Sequence, residues 1–193
     1  MAAPSIGVLG IQGDIEKHLA ALERLGARAR RVLSPRQLEG LDGLVLPGGE
    51  STTISKGLVR FELVKPIQEF AEAGGALLGT CAGAILLARE SLNHPVPTLG
   101  LIDVVAERNA YGTQVDSFVA PADPASDPAF ADMECVFIRA PRLGELGEDV
   151  EVLARVDGEP VLVRAERRFA CTFHPELSSD DRVHRALLES VRG

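Results

Sequence analysis

Short, nearly continuous apolar runs alternate with segments of helical period in the first half of the chain. The run Ser5–Ile11 is followed by a segment in which Ile15, Leu19, Leu22 and Leu25 fall on one helical face. A continuous apolar run predicts a strand covered on both faces, and a period of 3.6 residues predicts an amphipathic helix. The chain is therefore predicted to begin with a strand and then a helix.

The same alternation continues to about residue 88. A Ser34-Pro35 pair is typical of a helix start, and the segment Phe61–Ala73 predicts another helix. Strands alternating with helices favour a parallel sheet covered on both faces, which is a doubly wound, flavodoxin-like α/β fold. The further predicted strands are Ala29–Leu33, Gly43–Leu46 and Gly75–Gly79.

After about residue 98 the pattern changes to strand-like runs with almost no helix between them. We expect these runs to form hairpins that extend the sheet with an antiparallel portion, and residues 1–193 to form one domain. The segment Ala120–Met133 is rich in Pro, Asp and Ala and predicts an exposed connection. A final helix within 178–193 places Val183, Leu187 and Val191 on one face. The six strand-like runs are 101–108, 113–120, 134–140, 150–156, 160–166 and 168–173.

Composition narrows the class of protein. The 193 residues carry 28 acidic and 20 basic side chains, for a net charge of -8, which argues against nucleic acid or an anionic membrane as the main partner. No apolar run reaches the roughly 20 residues needed to span a bilayer, and the N-terminus has no secretory pattern. We therefore expect a cytoplasmic protein. Its three cysteines lack CxxC spacing, so neither a disulfide framework nor a metal site is expected.

Cys81 is the one cysteine whose surroundings suggest chemistry. It lies between a predicted strand and a second apolar run, in the sequence Gly79-Thr80-Cys81-Ala82-Gly83. This is the thiol counterpart of the G-x-S-x-G elbow, in which a nucleophile sits on a sharp turn from strand to helix. The alternative is a buried cysteine acting as a small hydrophobe. That second interpretation is the one we give to Cys135 and Cys171, which lie within strand-like runs.

A cysteine nucleophile needs a base, and the chain has four histidines. His18 and His184 lie in predicted helices among charged neighbours, which predicts solvated or capping side chains. His94 lies in a loop, which predicts a solvent-facing side chain. His174 ends a strand-like run and is followed by Pro175 and Glu176. Side chains two apart in an extended chain point the same way, so Glu176 could hold the imidazole as the third member of a triad.

These stretches together resemble a known family. The chain is similar to the class I, triad-type glutamine amidotransferases, and within them to the glutaminase subunits of pyridoxal 5′-phosphate synthases. The resemblance covers nearly the whole chain, and the last three of the following motifs make it specific. The motifs are GTCAG, FHPEL, PGGEST, ERNAYG and FIRAP.

The resemblance implies that Cys81 attacks the side-chain amide of glutamine to give a γ-glutamyl thioester. His174 would accept and return the proton, and Glu176 would orient His174. No cofactor and no metal are implied. The implied glutamine contacts are Gly49, Glu50, Ser51, Arg108, Ile138 and Arg139. The candidates for the oxyanion site are Gly48, Gly49 and Ala82.

The resemblance also implies a partner, because free ammonia would be lost to water. That partner is a synthase subunit that builds pyridoxal 5′-phosphate from a pentose phosphate and a triose phosphate, in a large ring decorated by glutaminase subunits. Docking would order the loop at Gly48 and Gly49. The first turn, with Gln12, would lie near the active site and the partner surface, which implies an interface role for Gln12. Three alternatives stay open: a glutaminase of another synthase such as imidazole glycerol phosphate synthase, a DJ-1/PfpI-like cysteine hydrolase, and a non-enzymatic flavodoxin-like binding module.

Overall fold

A seven-stranded sheet forms the centre of the protein. The computed structural model describes residues 2–108, 117–123 and 127–192. The order across the sheet is β10-β11-β12-β4-β3-β1-β2. The five strands from β12 to β2 are parallel, and β11 and β10 continue the sheet as antiparallel strands. These strands are β1 (Ser5–Leu9), β2 (Arg28–Val32), β3 (Gly43–Leu46), β4 (Ala76–Thr80), β10 (Glu151–Val156), β11 (Glu159–Ala165) and β12 (Arg168–Cys171).

Helices cover both faces of this sheet. The period-2 alternation of side chains sends Leu44 and Leu46 of β3 into one apolar cluster and Val45 into the other. Helices α2, α3 and α4 pack on the first face, and α1 and α5 pack on the second. The predicted doubly wound fold with an antiparallel extension is therefore confirmed. The helices are α1 (Ile15–Arg24), α2 (Ser51–Arg60), α3 (Val64–Glu72), α4 (Ala82–Leu87) and α5 (Arg182–Ser190).

The helices are short, and one predicted boundary is wrong. The segment Phe61–Ala73 was predicted as one helix, but its first residues form a turn in which Glu62 has a φ of 55°. Leu63, with no exposed surface, closes this turn by donating its N–H to the carbonyl of Leu58. In the part of the chain that the structure describes, no helix has the length and apolar character needed to cross a bilayer.

Two small sheets flank the main one, which corrects the expectation that all six late runs extend it. Strand β4 already pairs with β3 on one side and with β12 on the other, so β6 cannot pair with it. It pairs instead with β5 and β9, while β7 and β8 form a separate hairpin. Residues 113–116 of the predicted run 113–120 lie outside the described residues. The flanking strands are β5 (Ala88–Leu92), β6 (Ile102–Glu107), β7 (Phe118–Pro121), β8 (Glu134–Phe137) and β9 (Arg142–Gly144).

The connection predicted as exposed is partly buried. Its residues 124–126 lie outside the described residues, but Ala122, Phe130 and Met133 are at most 7% exposed and pack in the cluster beside α5. Hydrogen bonds tie the segment to the protein, since Ala122 N–H donates to the Met133 carbonyl. The few apolar residues of this Pro- and Asp-rich segment therefore anchor it against the sheet.

Candidate active site

Cys81 occupies a strained turn between β4 and α4. Its backbone has φ 49° and ψ -105°, in a region that a residue with a Cβ rarely adopts. Holding such a conformation costs about 1–3 kcal/mol and is characteristic of functional sites. The thiol is 7% exposed, and the carboxyl end of β4 directs it to the edge of the sheet where ligands bind in this class of fold. The predicted elbow is thus present in the backbone.

The two glycines of the motif are explained by close packing at this turn. A Cβ added to Gly79 would lie 2.5 Å from the carbonyl oxygen of Gly83. A Cβ added to Gly83 would lie 1.9 Å from the carbonyl oxygen of Leu46 at the end of β3. Any side chain at either position would push α4 away from the sheet. The glycines therefore set how tightly the chain turns at Cys81.

His174 reaches the same edge because its strand is the neighbour of β4. Cys171 of β12 is the register partner of Thr80, so the residues that follow these two strands emerge side by side. Gly48 packs against both side chains, since a Cβ there would lie 2.5 Å from His174 Cε1 and 3.3 Å from Cys81 Cβ. The structure therefore brings together the cysteine and histidine that the sequence predicted.

Glu176 completes the set from the short 3₁₀ turn Pro175–Leu177. Its Oε1 lies 2.8 Å from His174 Nδ1, and its side chain is 1% exposed. The Sγ of Cys81 lies 3.8 Å from the carbonyl oxygen of Ile138, so in this state the thiol is directed at that carbonyl. Catalytic contacts of this kind are commonly long without substrate and tighten when it binds.

The electrostatics favour a protonated His174. Burial opposes the charge, but hydrogen bonds and charge interactions with Cys81 and Glu176 outweigh burial and raise the pKa of His174 to about 10. An imidazolium between a sulfur and a carboxylate is the partner that a thiolate nucleophile requires. The site can therefore activate a thiol.

This raised pKa predicts a pH-dependent stability. A group whose pKa is higher in the folded state contributes stability that is complete below its unfolded value near 6.5 and is lost as the pH rises through about 10. We expect the unfolding free energy of the wild type, relative to His174→Gln, to fall by roughly a few kcal/mol between pH 7 and pH 10. Denaturant unfolding of both proteins across that range measures it. A difference that stays constant with pH would contradict the assigned charge state.

A cavity of about 430 Å³ opens above Cys81. The structure places all six predicted glutamine contacts in its wall. Ala82 and Gly49 of the predicted oxyanion set also line it, and Gly48 lies beside His174 and Cys81. The wall also contains Ile85 and Pro141, which sequence reasoning did not single out. The predicted residues found in the wall are Gly49, Glu50, Ser51, Ala82, Cys81, Arg108, Ile138, Arg139 and His174.

Glu50 and Arg108 form the polar side of this cavity. Glu50 caps α2 by accepting from the N–H groups of Thr52 and Thr53, at 2.9 and 2.7 Å. Partial desolvation opposes its charge, but these hydrogen bonds dominate and lower the pKa of Glu50 to about 2. The Arg108 guanidinium lies 3.5 Å from Glu50 and is only 15% exposed. A cation held by a carboxylate therefore lines the same cavity as the Cys81 thiol.

Gln12 holds the loop that carries Gly49. Its Oε1 accepts a hydrogen bond from the Glu50 N–H at 2.9 Å, and its side chain lines the cavity. Gly49 has a φ of 143°, which favours glycine. The resemblance predicted that this first turn lies near the active site and the partner surface. The structure places Gln12 in the cavity wall, where it also supports the Gly49 loop.

The sequence-based interpretation of His18 and His184 was wrong. Both side chains have no exposed surface, and His18 Nδ1 lies 2.9 Å from His184 Nε2. The charged neighbours that suggested solvation lie on other faces of the two helices. Helical period gives the signal that was missed, because His18 falls on the same face as Ile15 and Leu22. The remaining histidine, His94, is exposed as predicted.

The other two cysteines are core thiols, as predicted. Cys135 and Cys171 have no exposed surface. Burial is the main cause that raises the pKa of Cys135 to about 12 and the pKa of Cys171 well above its usual range. Buried thiols of this kind are unreactive at neutral pH. Cys81 is the cysteine that faces the cavity.

The fold and the arrangement of Cys81, His174 and Glu176 define the class as a class I glutamine amidotransferase. A family model matches residues 8–192, and the chain belongs to the SNO glutamine amidotransferase family. A Thermotoga maritima protein named "Pyridoxal 5'-phosphate synthase subunit PdxT" is 47% identical over 190 residues, covering 97% of this chain and 99% of the relative. The protein of the same name from Mycobacteroides abscessus is 48% identical over 193 residues, covering 98% of both chains.

A solved structure supports the same assignment. The structure titled "Crystal structure of glutamine amidotransferase" superposes with a TM-score of 0.90 at 46% sequence identity. The match covers 97% of this chain and 99% of that chain. The family likeness therefore extends over the doubly wound sheet and both flanking sheets.

Proposed function

We propose that this protein is the glutaminase subunit of a pyridoxal 5′-phosphate synthase. It hydrolyses L-glutamine to L-glutamate and ammonia, and it passes the ammonia to a synthase subunit. Membership of the SNO family and full-length relatives named as synthase subunits support this proposal. The single observation that carries the chemistry is Cys81 on a strained elbow beside the His174–Glu176 pair, at the base of a 430 Å³ cavity.

In the first half of the proposed reaction, Cys81 attacks the side-chain amide carbon of glutamine. His174 already holds the proton that it has accepted from the thiol, so the sulfur attacks as a thiolate, and the carbonyl oxygen becomes an oxyanion. Ala82 supplies the first N–H of α4, and such N–H groups have no partner within the helix and attract negative charge. This N–H and the N–H groups of Gly48 and Gly49 are the proposed oxyanion donors.

In the second half, the tetrahedral intermediate collapses. His174 returns its proton to the amide nitrogen, the C–N bond breaks, and ammonia leaves a γ-glutamyl thioester on Cys81. His174 then removes a proton from water, which attacks the thioester and releases glutamate. Glu176 holds the imidazole through Nδ1 in both halves, so that its other nitrogen faces the reacting atoms.

Arg108 and Arg139 are proposed to bind the substrate carboxylate. A guanidinium offers paired N–H donors that match a carboxylate. We expect Arg108→Gln to raise the KM for glutamine by about 10- to 100-fold with a smaller change in kcat, because a charged hydrogen bond contributes roughly 1.5–3 kcal/mol. Steady-state kinetics measure this effect.

The control for Arg108 is Arg31→Gln, which removes a surface cation paired with Glu16 at 2.9 Å and leaves the cavity intact. We expect that variant to keep the wild-type KM. An Arg108→Gln protein with an unchanged KM would show that the carboxylate binds elsewhere.

The proposed partner is a synthase subunit that makes pyridoxal 5′-phosphate from a pentose phosphate and a triose phosphate. We propose that glutaminase subunits decorate a large synthase ring in the cytoplasm. Docking would hold the Gly48–Gly49 peptide in the orientation that binds the oxyanion. A Gly-Gly peptide rotates easily, so a partner that prefers one state shifts the population.

Ammonia release by the purified protein, alone and with its synthase, tests the proposal. We expect slow hydrolysis alone, a clear increase with the synthase, and ¹⁵N from the glutamine amide in the pyridoxal 5′-phosphate formed. A glutaminase carrying Cys81→Ala, assayed with the same synthase, is the control for contaminating activity. Equal rates with and without the synthase, or no ¹⁵N in the product, would contradict the proposed partner.

A further inference from the structure

Behind Glu176 lies a buried pair of histidines that the proposed reaction does not use. His18 comes from α1 and His184 from α5, and both helices cover the same face of the sheet. Their rings are 5.2 Å apart, and Nδ1 of His18 lies 2.9 Å from Nε2 of His184. The other nitrogen of His18, Nε2, lies 3.4 Å from Oε2 of Glu176.

Both imidazoles are neutral at physiological pH. Burial, with the neighbouring His184 and His174, lowers the pKa of His18 well below its usual value. Burial also lowers the pKa of His184 to about 4, against a smaller raising effect of Asp181. The contact between His18 and Glu176 is therefore one between a neutral ring and a carboxylate. A neutral ring has one N–H and one acceptor nitrogen, so the tautomer decides what the pair does.

The carboxylate of Glu176 favours one of the two tautomers of His18. Its Oε1 faces His174, but among the described residues no well-aligned hydrogen bond reaches its buried Oε2. A buried carboxylate oxygen facing a lone pair would be repelled, whereas an N–H would stabilise it. The hydrogen of His18 therefore belongs on Nε2. Thr80 Oγ1, 3.5 Å from the same nitrogen, could accept from it or, in the other tautomer, donate to it, but it carries no charge and its hydroxyl can turn to suit either case.

The tautomer of His184 follows from that of His18. With its hydrogen on Nε2, His18 must accept at Nδ1, so His184 donates its Nε2–H across the 2.9 Å contact. His184 then carries a lone pair on Nδ1, a buried atom with no hydrogen-bond partner in the described part of the chain. The opposite arrangement would leave a buried N–H unpaired there and place a lone pair against the carboxylate, which costs more.

We propose that His18 is a positioning residue for the triad, presenting its Nε2–H to Oε2 of Glu176 at 3.4 Å, while His184 fixes the tautomer of His18. This inference rests on the proposed glutaminase function. Glu176 sits on a single 3₁₀ turn, and its carboxylate can rotate about its last side-chain bond. A donor on Oε2 fixes that rotation and directs Oε1 at His174. The contacts therefore connect His184 on α5 through His18 on α1 and Glu176 to the imidazole of His174.

The test compares two substitutions at one position, assayed with the synthase present. His18→Leu removes the donor, and we expect kcat to fall about 10- to 100-fold, by analogy with the loss of hydrogen-bond partners that orient metal-binding histidines. The KM should stay within about twofold, because His18 does not reach the cavity. His18→Gln places an amide N–H near the position of Nε2, and we expect it to retain kcat within about threefold.

A purely structural role gives a different result. Both variants would then lose thermal stability, and the folded protein would keep its kcat. Unchanged kcat in a folded His18→Leu protein, or an equal loss in the Gln and Leu variants, would overturn the proposal. A wild-type protein that releases no ammonia would instead refute the proposed function, so the two failures are distinguishable.

A second measurement does not depend on activity, and it tests the proposed tautomer of His18 even if the His18→Leu protein does not fold. Long-range ¹H–¹⁵N spectra of histidine-labelled wild-type protein report the tautomer of each ring. We expect His18 to be neutral at pH 7 with its hydrogen on Nε2. A hydrogen on Nδ1, or an imidazolium, would overturn the proposal.

Discussion

A Cys81→Ala protein is expected to lose glutamine hydrolysis almost completely, with kcat lowered about 10⁴-fold or more. The thiol forms the covalent intermediate, so without it the thioester mechanism cannot operate at all. The fold should remain, because alanine can take the same turn, but stability at pH 7 should fall, because the interaction with Cys81 that helps to raise the pKa of His174 is lost. Ammonia release in the presence of the synthase and a thermal melt measure the two properties.

The matched control is Cys135→Ala, which removes a sulfur from the core. Cys135 has no exposed surface, so we expect a loss of about 1 kcal/mol in stability and an unchanged kcat. A Cys81→Ala protein that keeps a tenth or more of the wild-type kcat would show that another group performs the attack.

Gly83→Ala is expected to have the second largest effect, on the fold and the site together. Its new Cβ would meet the Leu46 carbonyl oxygen at 1.9 Å, and a backbone oxygen inside a packed sheet cannot move aside. We expect the unfolding free energy to fall by about 3 kcal/mol or more, beyond ordinary overpacking, because α4 must shift. The same shift turns Cys81 away from His174, so hydrolysis should also fall. Denaturant unfolding and kinetics measure both.

Gly144→Ala is the control for this change. No atom lies within 4 Å of a Cβ at Gly144, which is in the short strand β9. We expect a change in stability within about 0.5 kcal/mol and normal activity. Equal stability of Gly83→Ala and Gly144→Ala would contradict the claim that close packing of α4 against β3 determines the turn at Cys81.

The first half of the fold could be predicted because its signals are local. The strands β1, β3 and β4 are short apolar runs, and each is followed by a helix. The edge strand β2 has the sequence RARRV, in which only Val32 is buried, and gives a weaker signal. The later strands give the same local signal but pair according to which sheet edges are free. That choice depends on β12 returning to pair with β4, a contact between residues some 90 positions apart, as in Leu77 with Arg168. Strand-like pattern alone cannot predict it.

The candidate site was predictable for a different reason. Cys81 and His174 each follow a strand, and the carboxyl ends of parallel strands meet at one edge of the sheet. The family resemblance added the cavity residues such as Arg108, which no local pattern would have selected. His18 and His184 were misinterpreted because charged neighbours were weighed above helical period. Their pairing across α1 and α5 is a tertiary contact between residues 166 positions apart, which the sequence does not show.

The most direct test of the central claim is to find which residue a glutamine-derived electrophile labels. The protein, with its synthase, is treated with a diazoketone analogue of glutamine and then digested, and the modified peptide is identified by mass spectrometry. We predict one label, on Cys81, that excess glutamine prevents and that inactivates the enzyme in proportion to its extent. Label on another residue, or inactivation without modification of Cys81, would contradict the account.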